Sequence, residues 1–106
     1  MATRIIDTEN KILVGDNHPQ LKIGNKCYIV DDRQKTWEKM GDVLSGRTEC
    51  EDQDYEFVKL AIGKEGADEV LKDITVSGME NLTYFIIAAI RDLSFEEAKE
   101  FVNGKN

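Results

Sequence analysis

The chain is poor in the residues that most often carry chemistry. Of its 106 residues, one is histidine, one proline, one tryptophan and two cysteine. A lone histidine, His18, cannot build a metal site without other ligands at suitable spacing. No serine or cysteine has an obvious histidine partner, so nucleophilic catalysis finds no local support. Cys27 and Cys50 form no C-x-x-C pair, and two free thiols in a reduced compartment are the simplest reading. Cys27 reads as a small buried hydrophobe on a strand. Cys50, between Glu49 and Glu51, reads as an exposed loop thiol whose acidic neighbours oppose thiolate formation.

Long apolar runs are also missing. The longest, Tyr84 to Ile90, spans about half the length needed to cross a bilayer even when counted from Leu82. The opening residues lack the apolar core of a signal peptide. A cytoplasmic setting without membrane contact is expected. Cations are scarce: 14 Lys and Arg stand against 21 Asp and Glu, for a net charge of −7. That balance disfavours nucleic acid and anionic lipid surfaces, whose affinity rests on clustered Lys and Arg.

Carboxylates are plentiful instead. Glu49, Glu51, Asp52, Asp54 and Glu56 form the densest group. An EF-hand loop would need glycine at its sixth position and glutamate at its twelfth, and that pattern is missing. A solvated acidic loop ahead of a helix N-terminus is the plainer reading, since the helix dipole favours acids there. No metal and no cofactor is expected, and no enzymatic activity.

Residues 1–19 hold two short apolar clusters, Ile5-Ile6 and Ile12-Leu13-Val14, closed by Gly15-Asp16-Asn17-His18-Pro19. Two short strands, or one strand and a loose arm, both fit. Leu21 to Val30 is a hairpin candidate: Leu21 and Ile23 alternate with Lys22, Gly24-Asn25-Lys26 turns the chain, and Tyr28-Ile29-Val30 favours extended structure. Then the period changes. Arg33, Trp37, Met40 and Leu44 fall on one face of a helix, capped by Asp31 or Asp32 and ended by Ser45-Gly46. A second helix is expected over about 54–62 with Gly63 as its stop. A third runs over about 64–74, with Ala67, Val70, Leu71 and Ile74 on one stripe. The connection between them is so short that they must meet at a sharp angle or nearly antiparallel. Ser77-x-x-Glu80 and Ser94-x-x-Glu97 have the capping-box form and announce helices over about 78–92 and 95–103. The expected fold class is α+β. One domain over 20–104 carries an N-terminal β-hairpin, with a third strand or an arm in residues 1–19. A bundle of four to five short helices follows, mostly helical after residue 31.

Gly63-Lys64-Glu65-Gly66 has the form of the RNA-clamping loop of KH domains. Glu65 would face phosphate, however, and the surrounding chain is acidic. The simpler reading is that Gly63 caps one helix and Gly66 permits close packing in the next. The helix over 78–92 is more informative. Met79, Leu82, Ile86, Ala89, Ile90 and Leu93 form its main stripe, widened by Phe85 on one side and Ile87 on the other. The apolar arc is roughly 200° wide, against ~100° for an ordinary surface helix. Such a helix is central in the core, or it supplies a second contact face for self-association or a partner through Tyr84, Phe85 and Ile87.

The order of elements now carries a resemblance. A hairpin over 21–30 leads into a helix opened by Asp31-Asp32-Arg33. An acidic break follows, then Phe57-Val58-Lys59-Leu60-Ala61-Ile62-Gly63, a helix, and Leu93-Ser94-Phe95-Glu96-Glu97-Ala98. Over about residues 20–103 this resembles the small tail assembly chaperones of siphophages and prophages of Gram-positive bacteria. The resemblance implies a non-enzymatic protein in the cytoplasm of the bacterial host. Its implied partners are the tape-measure protein, whose long hydrophobic helices it keeps soluble, and tail-tube subunits. No catalytic residue is implied. The arm over 1–19 is longer than the resemblance requires. A different class also fits the charge: a small acidic regulatory or decoy protein that binds a basic protein through Glu49 to Glu56.

Overall fold

A computed structural model describes residues 18–104 of the protein. The extra strand or arm expected within residues 1–19 falls, up to Asn17, outside the described residues. The elements in order are β1 (Gln20–Ile23), β2 (Lys26–Ile29), α1 (Gln34–Leu44), α2 (Gln53–Val70), α3 (Val76–Arg91) and α4 (Phe95–Asn103). This is the expected α+β arrangement: an antiparallel hairpin followed by four helices.

The hairpin turns at Gly24-Asn25, where Gly24 takes the positive φ of +65° that a two-residue turn exploits. Leu21 stands opposite Tyr28, and Lys22 opposite Cys27. Successive strand residues point to opposite faces, so Leu21 and Tyr28 turn inward while Cys27 shares the solvent face with Lys22. Cys27 is therefore exposed, not buried as its residue type suggests. The hairpin is tied to the helices at both ends. The Asp31 N–H donates to the Ala61 carbonyl at 2.8 Å. The Tyr28 hydroxyl and the Lys26 ammonium donate to Glu69 at 2.9 and 2.7 Å.

Helix α1 lies where its periodicity places it, but it is rotated. Its buried residues are Thr36, Met40 and Val43, with Trp37 half-buried and Arg33 and Leu44 exposed. The cause lies just before the helix. Arg33 donates to the Asp31 carboxylate through Nε at 2.9 Å and Nη2 at 2.8 Å, and the Thr36 hydroxyl donates to it at 2.8 Å. Those bonds hold Arg33 outward and draw Thr36 in. Asp31 accepts the backbone N–H of Arg33 at 3.2 Å rather than one inside the helix, so it is not a simple cap.

The second and third helices of the sequence reading form α2, broken at Gly63, whose φ of 89° and ψ of 166° are not helical. The Tyr55 hydroxyl donates to Asp68 at 2.9 Å, although thirteen residues of straight helix would span roughly 20 Å. The two halves therefore fold back on each other. At Gly66 a side chain would stand 3.0 Å from Ile62 Cγ1 and 3.2 Å from Tyr28 Cδ1, so glycine permits the close packing expected of it. The second half ends at Val70, which leaves Ile74 in the connection to α3 rather than on a helical stripe.

The cap of α3 is Thr75, not Ser77. The Thr75 side chain accepts from the Gly78 N–H at 2.9 Å, and the helix starts at Val76. Ile74 then precedes the cap and Met79 sits at the fourth helical position, the placement of a hydrophobic staple. At α4 the expected capping box is present. Ser94 accepts from the Glu97 N–H at 3.1 Å, and Glu97 accepts from the Ser94 N–H at 2.9 Å. Gly104 closes α4 at a φ of +66°. Phe57, Met40, Ile86, Val30 and Val58 are the largest fully buried side chains, so every helix except α4 gives the core at least one large residue. No helix among the described residues is long and apolar enough to cross a membrane.

Candidate functional site

The three residues singled out on the fourth expected helix, now α3, have different fates. Tyr84 is 7% exposed and Ile87 is 3% exposed, both within the core cluster. Phe85 is 47% exposed. The helix thus splits its wide apolar arc: most of it is core, and one edge stays open at Phe85. Two aromatic contacts fix this edge. Phe85 and Phe95 rings pack at 4.7 Å between centroids, and Tyr84 meets Phe95 edge-on at 5.7 Å. The Ser94 capping box starts α4 at Phe95 and so positions that ring.

Beside Phe85 runs a groove of about 430 Å³. Its walls come from three places: Leu21 and Ile23 of β1, Val70 and Ile74 around the end of α2, and Gly78, Leu82 and Phe85 of α3. Among the described residues, Lys22 is the only charged one in its lining, although a third of the chain is charged. The sequence signals for this groove were partial. The alternation of Leu21 and Ile23 and the wheel position of Phe85 are local. Their meeting with Val70 and Ile74 depends on the break at Gly63 and on the chain ending its helix early.

Other candidates are tied to structural roles. Asp52 caps α2 by accepting from the Tyr55 N–H at 3.1 Å. Asp54 lies in the first turn of α2, and Glu56 pairs with Lys59 at 3.2 Å. Glu49 and Glu51 remain exposed in the loop, beside a half-buried Cys50. The Arg33 guanidinium holds the Asp31 carboxyl well below the usual carboxylate range, against its partial burial and with help from Thr36. Lys26 and Tyr28 lower Glu69, and Lys64 and Tyr55 lower Asp68.

His18 Nδ1 lies 2.7 Å from Asp32 Oδ1, and the recess it lines contains no serine, threonine or cysteine among the described residues. Among the described residues no group of three His, Cys, Asp or Glu side chains is placed to hold a metal ion. A second aromatic surface, Trp37 with the half-exposed Phe101, is covered by the Arg91 guanidinium, which lies 5.6 and 5.0 Å from the two ring centres. Comparison with protein-family models, with curated proteins and with solved structures gives no match.

Proposed function

We propose that the protein is a non-enzymatic assembly chaperone of the phage and prophage tail type, acting in the cytoplasm of the bacterial host. It binds an apolar helical segment of a tape-measure protein and helps bring it to tail-tube subunits. The observation that carries this reading is the groove at Phe85, which is lined mainly by apolar side chains, with Lys22 its one charged residue among the described residues, on a chain of net charge −7. An amphipathic helix lays its apolar face into such a channel, with Phe85 and Ile74 as wall contacts. The net charge of −7 supports the same role, because it keeps a complex with an aggregation-prone partner in solution. The order of elements from the hairpin to the Ser94 cap, with its resemblance to tail assembly chaperones, supplies the identity of the partner.

The test is co-expression with a siphophage tape-measure protein. The chaperone role predicts a rise in the soluble fraction of that protein and a complex on a sizing column. No rise and no complex would count against it.

A further inference from the structure

A second hollow, of about 460 Å³, opens on the other side of α3. On a 100° wheel its α3 residues Val76, Met79, Glu80 and Thr83 face roughly opposite to Gly78, Asn81, Leu82 and Phe85. Leu71, Ile74 and Met79 form its half-buried apolar floor, and Val76 stands at its rim with 85% of its surface exposed. Among the described residues, the charged ones in its lining are Asp52, Asp54 and Glu80, without a lysine or arginine.

The helix dipoles account for only part of that charge. Asp52 is the cap of α2, and Asp54 sits in the first turn of α2. Glu80 is the fifth residue of α3, beyond the first turn where the dipole acts, and α3 has no acid in its first turn. Neither Asp54 nor Glu80 forms an ion pair among the described residues.

We propose that this hollow docks a cationic amphipathic helix of a protein partner. The partner's apolar residues cover Ile74, Val76 and Met79. A lysine or arginine lays its alkyl stem on that floor and brings its charged head to Asp54 and Glu80. This surface meets the Phe85 groove only at Ile74, lies otherwise on the opposite side of α3, and does not rest on the chaperone reading.

The experiment uses the isotope-labelled full chain, titrated with two designed helical peptides that share one leucine face. One carries lysines along its flank and the other carries glutamates. The lysine peptide is expected to shift the amide signals of Val76, Met79, Glu80 and Thr83, which line this hollow and not the Phe85 groove, and to lose affinity as salt rises. Combined Asp54→Asn and Glu80→Gln changes weaken it about fivefold, the scale of two exposed ion pairs. Glu49→Gln with Glu51→Gln removes the same charge from the neighbouring loop and leaves the affinity unchanged. Equal weakening by both pairs would show attraction to net charge alone and overturn the proposal. Equal binding of the glutamate peptide would overturn it as well. Shifts confined to the groove at Phe85 would overturn it and leave the chaperone proposal standing.

Discussion

Asp31 gathers more hydrogen bonds than any other side chain described here: two from the Arg33 guanidinium, one from the Arg33 N–H and one from the Thr36 hydroxyl. Asp31→Ala leaves the buried Thr36 hydroxyl without that acceptor, and a loss of about 1–3 kcal/mol is expected in urea unfolding. The pH dependence follows from the direction of its shift. Folding favours the ionised carboxyl, so the contribution is complete above the ordinary carboxylate value of about 4 and is lost as pH falls toward the lower folded-state value. The stability gap between wild type and Asp31→Ala should therefore narrow in acid. A gap that stays constant down to the acid transition would rule out the charged form as its source.

Phe85 and Ile87 are separated by the same reasoning about single side chains. Ile87→Ala opens a cavity in the core and should cost about 2–5 kcal/mol. Phe85→Ala removes a half-exposed ring and its contact with Phe95, for about 1–2 kcal/mol. Thermal unfolding of the two variants checks the order. A Phe85→Ala protein less stable than Ile87→Ala would mean that the ring is a core residue.

Among the elements, breaks and caps carry the architecture. Gly63 has a φ of 89° and ψ of 166°, a region open essentially to glycine, and nothing lies within 4 Å of where a Cβ would stand. Gly63→Ala should thus cost about 1–3 kcal/mol through backbone strain alone, without a clash. Ser94→Ala removes the reciprocal cap of α4 and should cost about 1 kcal/mol. An unfolding midpoint unchanged by either substitution would contradict the role given to that residue.

Much at this scale was legible in the sequence because it is local. The turn at Gly24-Asn25, the break at Gly63, the Ser94 box and the stop at Gly104 each depend on a few adjacent residues. The misreadings have non-local or competing causes. Thr75 and Ser77 both offer a capping hydroxyl, and the structure uses the one that lets Ile74 sit ahead of the cap. The face of α1 turned because Asp31 binds Arg33 and Thr36, which periodicity does not register. Cys27 was misplaced because strand register, not residue type, decides which side of a hairpin a residue faces.

At the scale of the whole molecule, the folding back of α2 has the largest effect. It brings Glu69 to the hairpin, held by Lys26 and Tyr28, and it leaves Val70 and Ile74 beside β1 and α3. The groove exists because these separate segments meet, so the sequence showed only its edges. Phe85 is readable as surplus apolar surface, whereas the burial of Tyr84 and Ile87 depends on tertiary packing that helical periodicity does not register. The two hollows on opposite sides of α3 differ in character: one is almost free of charge and the other is rimmed by acids. If both proposals hold, a helical partner is sorted between the two by its own charge pattern.

The proposal that the Phe85 groove is the working surface is tested most directly by the soluble yield of a tape-measure protein. It would be measured on co-expression with wild type and with Phe85→Ala, after unfolding curves show both forms folded. The groove predicts a high soluble yield and a co-eluting complex with wild type, and loss of both with Phe85→Ala. Equal yields with the two forms, in the presence of a stable complex, would contradict it.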